Sequence, residues 1–315
     1  MATFIPIRDR LSVRIYHMTV PDSRYQFYSL VFWQHTMTTS QQKILATFVL
    51  AGVLTLSTTA PVVTAWALNI SGTSGSDVID GTESDDGISG LQGNDLLRGN
   101  GGNDVIAGDE GNDRIYGGSG NDEVDGGEGA DIIGGDLGND VLQGGLGNDA
   151  IYGGAGDDIL EDITDGGDDV LSGGSGNDVL KDGSGTDAGV NKMYGNDGND
   201  ELVAGFGSYI LVGGAGDDNL SQTFGEGRMW GGSGNDVMTG GRGGSYYLNG
   251  GPDNDVITGG FGNDIIDGGD GNDTLTGDIN DSDGADAFVC GSGLDSITDY
   301  NPAEGDTKTD DCENF

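Results

Sequence analysis

From Gly72 to Thr298 the chain is written in a nine-residue period. Gly117-Gly118-Ser119-Gly120-Asn121-Asp122-Glu123-Val124-Asp125 is one copy and Gly144-Gly145-Leu146-Gly147-Asn148-Asp149-Ala150-Ile151-Tyr152 another; ten such nonapeptides run from Gly72 to Glu161 without an insertion. Each unit carries one apolar anchor near its end, starting with Ile79, Ile88, Leu97 and Ile106 and finishing with Leu275, Phe288 and Ile297, and all 24 anchors are apolar. A unit this short cannot bury its anchor alone. Its polar-apolar-polar end is a short strand with one inward side chain, and its glycines let the preceding six residues turn tightly at positive φ. Two units make a coil with a strand on each side, and stacked coils bury a thin core between two parallel sheets. Twelve coils at roughly 4.8 Å spacing predict a rod about 58 Å long.

Composition narrows the function. The 315 residues hold 54 acids against 12 bases, a net charge of −42, with 64 glycines and only 34% hydrophobic residues. Such a charge is repelled by nucleic acid and by anionic membranes. Five prolines and a nine-residue glycine period exclude collagen. A disordered acidic chain is left, or a repeat protein neutralised by something outside the sequence.

Residues 1–67 are of another kind. Four arginines and both histidines, His17 and His35, precede residue 37. A polar segment ending in Lys43, an apolar run Ile44–Leu56 and the small-x-small tripeptide Ala65-Trp66-Ala67 have the layout of a secretory signal peptide over 37–67. The run is shorter than the roughly 20 apolar residues that span a bilayer; an uncleaved anchor is the alternative. Residues 1–36 read as a mis-assigned start or a long leader. Cleavage after Ala67 removes two acids and five bases, leaving a mature charge of −45 and no histidine.

The unit resembles the G-G-x-G-x-D-x-U-x repeat of the RTX, or haemolysin-type, calcium-binding family, and the resemblance covers 72–298. It implies an all-β, right-handed parallel β-roll (a solenoid) of about 24 nonapeptide half-coils over 68–298, closed by a C-terminal cap over 299–315. It also implies Ca²⁺ between successive turns, held by turn carbonyls and by the Asp two residues before each anchor. Those positions are Asp77, Asp86, Asp95, Asp104, Asp113, Asp122, Asp131, Asp140, Asp149, Asp158, Asp169, Asp178, Asp200, Asp218, Asp236, Asp255, Asp264, Asp273, Asp286 and Asp295, twenty of the 24 units. The chemistry agrees, since Ca²⁺ takes 6–8 oxygen ligands from carboxylates and carbonyls, and carboxylates stacked at about 5 Å repel strongly without a counter-cation.

The four exceptions, Asn191, Tyr209, Gly227 and Tyr246, fall in units 13, 15, 17 and 19. Alternate units stack, so these are four consecutive layers of one edge. The even edge is expected to carry an unbroken calcium column, and the odd edge a column interrupted for roughly 19 Å. Around the interruption lie Lys192, Tyr194, Phe206, Tyr209, Phe224, Arg228, Trp230, Arg242, Tyr246 and Tyr247. Two readings stay open: aromatic packing and fixed cations replace the missing metal, or an exposed aromatic-basic strip binds an acidic polysaccharide or cell-envelope partner.

Cys290 and Cys312 bracket the tail, and in a secreted chain an even cysteine count points to a disulfide between them. No histidine survives for Ser-His-Asp, Cys-His or H-E-x-x-H chemistry. RTX proteases and lipases carry a catalytic domain before their repeats, and the four residues between Ala67 and Gly72 leave no room for one. Typical members also leave the cell on a C-terminal signal, whereas this chain shows an N-terminal one. The expectation is a secreted, non-enzymatic protein that binds about 16 Ca²⁺, with an extracellular adhesin as the alternative.

Overall fold

The computed structural model describes residues 67–163, 167–183, 190–278 and 284–312, together with an antiparallel pairing of Arg14–Ile15 with Val31–Phe32. The leader and signal peptide expected over 1–67 lie outside the described residues, save that pair and Ala67. Among the described residues there is no helix, and so none long and apolar enough to cross a membrane.

The nine-residue period becomes a parallel β-solenoid of 24 strands. Each short strand pairs with the one two positions further along the chain, as in Ile79↔Leu97, Ile88↔Ile106 and Ile133↔Ile151. Odd and even anchors therefore form two facing columns. One inward residue per strand makes a core a single side chain thick, and 23 of the 24 anchors are buried in it, with Ile297 packed against its end. Burying each contributes about 1.5–3 kcal/mol, so the core is a sum of equal small terms along the rod. Units of irregular length leave the register intact: Ile151↔Leu171, Leu171↔Met193 and Ile266↔Phe288 pair as the regular units do.

The ladder reaches beyond the period at both ends. Asn69–Ser71 pairs with Gly87–Ser89 and seats Ile70 against the core. In the tail, Thr307–Lys308 pairs with Ala287–Phe288, and Asp306 Oδ1 accepts the Asp286 N–H at 3.0 Å, as the repeat aspartates do. Asp306-Thr307-Lys308 is thus one more rung with lysine in the anchor place, its ammonium 5.6 Å over the Tyr300 ring. The Cys290–Cys312 disulfide, with Cα atoms 5.1 Å apart, fastens this cap to the last coils.

The odd edge changes construction in its middle. Asn191, Tyr209, Gly227 and Tyr246 stack directly on one another, as the parity of the units predicts. Here the strands Glu201–Ala215 and Asn219–Ser233 run unbroken round the edge, with Gly207 and Gly225 as the left-handed residues at the bend. Tyr209 and Tyr246 point inward, each 2% exposed. At Gly227 the aspartate place has no side chain, while Gln222 fills the place of a first turn glycine; a Cβ on Gly227 would collide with Gln222 Oε1. The buried Gln222 Nε2 donates to the carbonyls of Gly207 at 2.9 Å and Phe224 at 3.0 Å. An amide group thus sits among carbonyls that a cation would otherwise have to gather.

Two outcomes follow from this architecture. Gln222→Ala leaves those buried carbonyls without a donor and should cost about 2 kcal/mol in urea unfolding, undiminished by saturating calcium. Cys290→Ser should cost about 3 kcal/mol by the same measurement, because the disulfide closes a loop of roughly 20 residues.

Candidate metal centre

Every one of the twenty repeat aspartates is buried beside the core. The cause is a side-chain-to-backbone ladder: from Asp86 onward, Oδ1 of each repeat Asp accepts the N–H of the residue at the same place one coil earlier. On the even edge the ladder is continuous from Leu68 N–H on Asp86 to Asp273 N–H on Asp295, at 2.6–2.9 Å. On the odd edge it runs from Asp77 through Asp95, Asp113, Asp131, Asp149 and Asp169 to Asn191. It stops there and resumes when Tyr246 donates to Asp264 and Asp264 to Asp286.

The second oxygen defines the centre. Oδ2 of Asp95, Asp104, Asp113, Asp122, Asp131 and Asp140 is buried with no hydrogen-bond donor, as it is at Asp158, Asp178, Asp200, Asp218, Asp236, Asp255 and Asp273. It points into the turn, toward a carbonyl of the next coil. The α-carbon of Gly90 shows the arrangement: a Cβ built there would lie 2.5 Å from Asp95 Oδ2 and 2.7 Å from the Gly108 carbonyl oxygen. Gly195 meets Asp200 Oδ2 and the Gly213 carbonyl in the same way, and Gly250 meets Asp255 Oδ2 and the Gly268 carbonyl. Glycine is required at the head of the turn because any side chain would displace these oxygens. Two acceptors facing each other in a buried place attract only a proton or a cation, and an all-oxygen set of this kind fits Ca²⁺.

The first two turns differ. Thr73 and Thr82 stand where later turns place a second glycine, and their N–H groups donate to Asp77 Oδ2 and Asp86 Oδ2, each at 2.6 Å. These carboxylates are satisfied from within the protein, so the Thr turns close the N-terminal end without needing metal.

Burial, more than any neighbour, pushes the column's carboxyls up, partly offset by the N–H bonds and reinforced by adjacent aspartates. Asp104, Asp113, Asp122, Asp131, Asp178 and Asp236 rise to about 6, and Asp158, Asp218 and Asp255 to about 7.

Asp162 and Asp182 are functional candidates outside the repeat's aspartate position. They occupy the first-glycine place in adjacent layers of the odd edge and are buried. Carboxylate oxygens of Asp149, Asp162 and Asp169 lie within 4.8 Å of one another, so three carboxylates could share one cation there. Asp182 instead meets the Asn191 amide and the Tyr209 hydroxyl, both at 3.4 Å. An acid two residues after an anchor, where most units have glycine, is the sequence signal for both.

The aromatic-basic strip divides into three. Tyr209 and Tyr246 are inside the roll. Phe206 and Phe224 stack at 4.7 Å on the turn edge, where Phe224 bridges to Arg242 and Arg242 lies 5.5 Å over Phe261. Lys192, Tyr194, Arg228, Trp230 and Tyr247 lie on the outer face of the odd sheet, with Trp230 and Tyr247 5.9 Å apart. A groove of about 460 Å³ runs beside them, lined by Ile210, Glu226, Arg228, Tyr247 and Ile265 among others.

Comparison with known proteins agrees with this geometry. The model of the RTX calcium-binding nonapeptide repeat (4 copies) matches residues 69–97, 98–133, 134–161, 163–188, 194–221, 228–246 and 249–282. No curated protein matches the chain. Among solved structures, the crystal structure of a hyperactive, Ca²⁺-dependent, beta-helical antifreeze protein from an Antarctic bacterium is 20% identical, covering 73% of this chain and 86% of that one at a TM-score of 0.37. With its repeats matched over more than half its length, the chain belongs to the RTX calcium-binding nonapeptide repeat family.

Proposed function

We propose that this protein is a secreted, non-enzymatic calcium-binding β-roll that folds when it meets extracellular calcium. The observation that carries the reading is the donorless Oδ2 buried in turn after turn, with a glycine carbonyl of the next coil beside it at Asp95, Asp104, Asp113, Asp131, Asp140, Asp158, Asp200, Asp218 and Asp255. Without metal, neighbouring carboxylates about 4.8 Å apart repel by roughly 3 kcal/mol at an effective dielectric constant near 20, and a core one side chain thick does not offset that for each layer. Calcium binds the coiled form alone, so metal binding and folding are one equilibrium. Binding of about 16 ions would bring the mature charge from −45 to about −13, a value suited to a soluble rod. The signal peptide over 37–67 would deliver the chain to a calcium-rich compartment before it folds.

A second reading, an extracellular adhesin or envelope-binding module, is favoured by one observation: Lys192, Arg228 and the aromatics beside them face outward on the odd sheet of an otherwise acidic chain.

Circular dichroism tests the first reading. The chain should be disordered in EGTA and rich in β-structure in millimolar calcium; a β-spectrum in EGTA would refute it. Proton linkage gives a second outcome. The buried aspartates have folded-state pKa values raised to about 6–7, above their unfolded value near 3.9. Protonation therefore stabilises the metal-free roll, fully below the unfolded pKa, and that stabilisation is lost as pH rises through 6–7. Calcium-free protein titrated from pH 8 to 5 should gain β-structure, while calcium affinity should fall over the same range as protons compete for Oδ2.

A further inference from the structure

The outer face of the odd sheet is patterned in every second coil. Its residues just after the anchors stack in the order Tyr116, Gly134, Tyr152, Ser172, Tyr194, Val212, Trp230. An aromatic ring thus recurs at every other rung, with a smaller side chain or glycine between. The small neighbour gives the ring room to lie along the sheet: a Cβ on Gly134 would be 3.4 Å from Tyr116 Cδ1. Tyr152 is 48% exposed. Successive rings are two rungs, about 9.6 Å, apart.

The residue just before each anchor follows the alternation at three of the four rings. Arg114, Lys192 and Arg228 share strands with Tyr116, Tyr194 and Trp230, Ala150 shares the strand of Tyr152, and the intervening strands carry Ile132, Val170 and Ile210. Across these seven rungs the two outward positions hold three bases and no acid. The facing sheet, from Val105 to Ser221, holds Glu123, Asp125, Glu161 and Glu201 at its equivalent positions, with Lys181 bound to Glu161 at 3.1 Å. Among the described residues Arg114, Lys192 and Arg228 make no ion pair, in a chain with 54 acids. Glu226 lines the groove together with Arg228 at the C-terminal end of the face.

We propose that this face binds an extended anionic polysaccharide laid along the roll axis, one disaccharide for every two coils. Each ring would stack on the C–H face of a sugar, and the base beside three of the four rings would pair with a carboxylate or sulfate carried once per disaccharide. The two-rung period suits a chain with a two-sugar repeat, and the unpaired bases suit a polyanion rather than a neutral glycan. This specifies the ligand of the adhesin reading and rests on it; calcium-dependent folding stands or falls separately.

The test is calorimetric titration of the full, calcium-loaded chain with hyaluronan oligosaccharides, which carry one carboxylate per disaccharide, and with cello-oligosaccharides as neutral chains. Affinity for hyaluronan should climb with length up to about four disaccharides, matching the four rings, and should fall with added salt. Tyr152→Ala and Tyr194→Ala should each weaken binding about five-fold, Arg228→Gln should weaken it similarly, and Val141→Ala on the facing sheet should leave it unchanged, with all four variants retaining the wild-type β-spectrum. No hyaluronan binding, or equal binding of the neutral chains, overturns the proposal. Hyaluronan binding that neither tyrosine variant weakens overturns it too, while leaving an adhesin that uses another surface.

Discussion

One interaction governs the rest of the molecule: a buried aspartate oxygen and a glycine carbonyl face each other across a turn with no donor between them. Each aspartate is held there by its other oxygen, which accepts a backbone N–H from the preceding coil. The carboxylate is therefore both part of the backbone ladder and an open ligand. A cation bound there would convert the second role from a cost into a bond, and the even edge offers the same arrangement at Asp104, Asp140, Asp158, Asp200, Asp218 and Asp255. On the proposed function, the glycine period, the acidic composition and the thin core are aspects of one design, in which the ion would supply cohesion that the column of anchors does not.

The middle of the odd edge shows what the same fold does when the ligand is withdrawn. Losing the aspartate at Gly227 is matched by gaining Gln222 in the opposing glycine place, and Gln222 brings N–H donors to the turn carbonyls. Tyr209 and Tyr246 fill the neighbouring layers with apolar volume. The turns are drawn into the long strands Glu201–Ala215 and Asn219–Ser233, which bend at Gly207 and Gly225. At the N-terminal end Thr73 and Thr82 reach a similar end with local N–H bonds. Layers with and without the repeat aspartate thus share one register.

Much of this was legible in the sequence because the repeat is local. The anchors and the stacking of Asn191, Tyr209, Gly227 and Tyr246 follow from counting positions, and the Cys290–Cys312 disulfide from there being two cysteines in a chain read as secreted. The strip was less legible because its residues share units but not positions within the unit. Tyr209 and Tyr246 replace an inward aspartate and so are buried, whereas Tyr194 and Trp230 follow an anchor and so face out. Reading the residue after each odd anchor would also have found Tyr116 and Tyr152, which lie outside the interrupted layers. Gln222 was not legible, since its role depends on the space left by a glycine five residues later. The terminal rung Asp306-Thr307-Lys308 was hidden by a lysine in a place that is apolar in every other unit.

Anomalous diffraction from crystals of the calcium-loaded protein tests the central claim most directly. The account predicts calcium peaks between Oδ2 and the glycine carbonyls in an unbroken column along the even edge from Asp104 to Asp273. On the odd edge it predicts a column that breaks over the layers of Tyr209 and Gly227. Continuous peaks through those layers, or none beside the donorless aspartates, would contradict it.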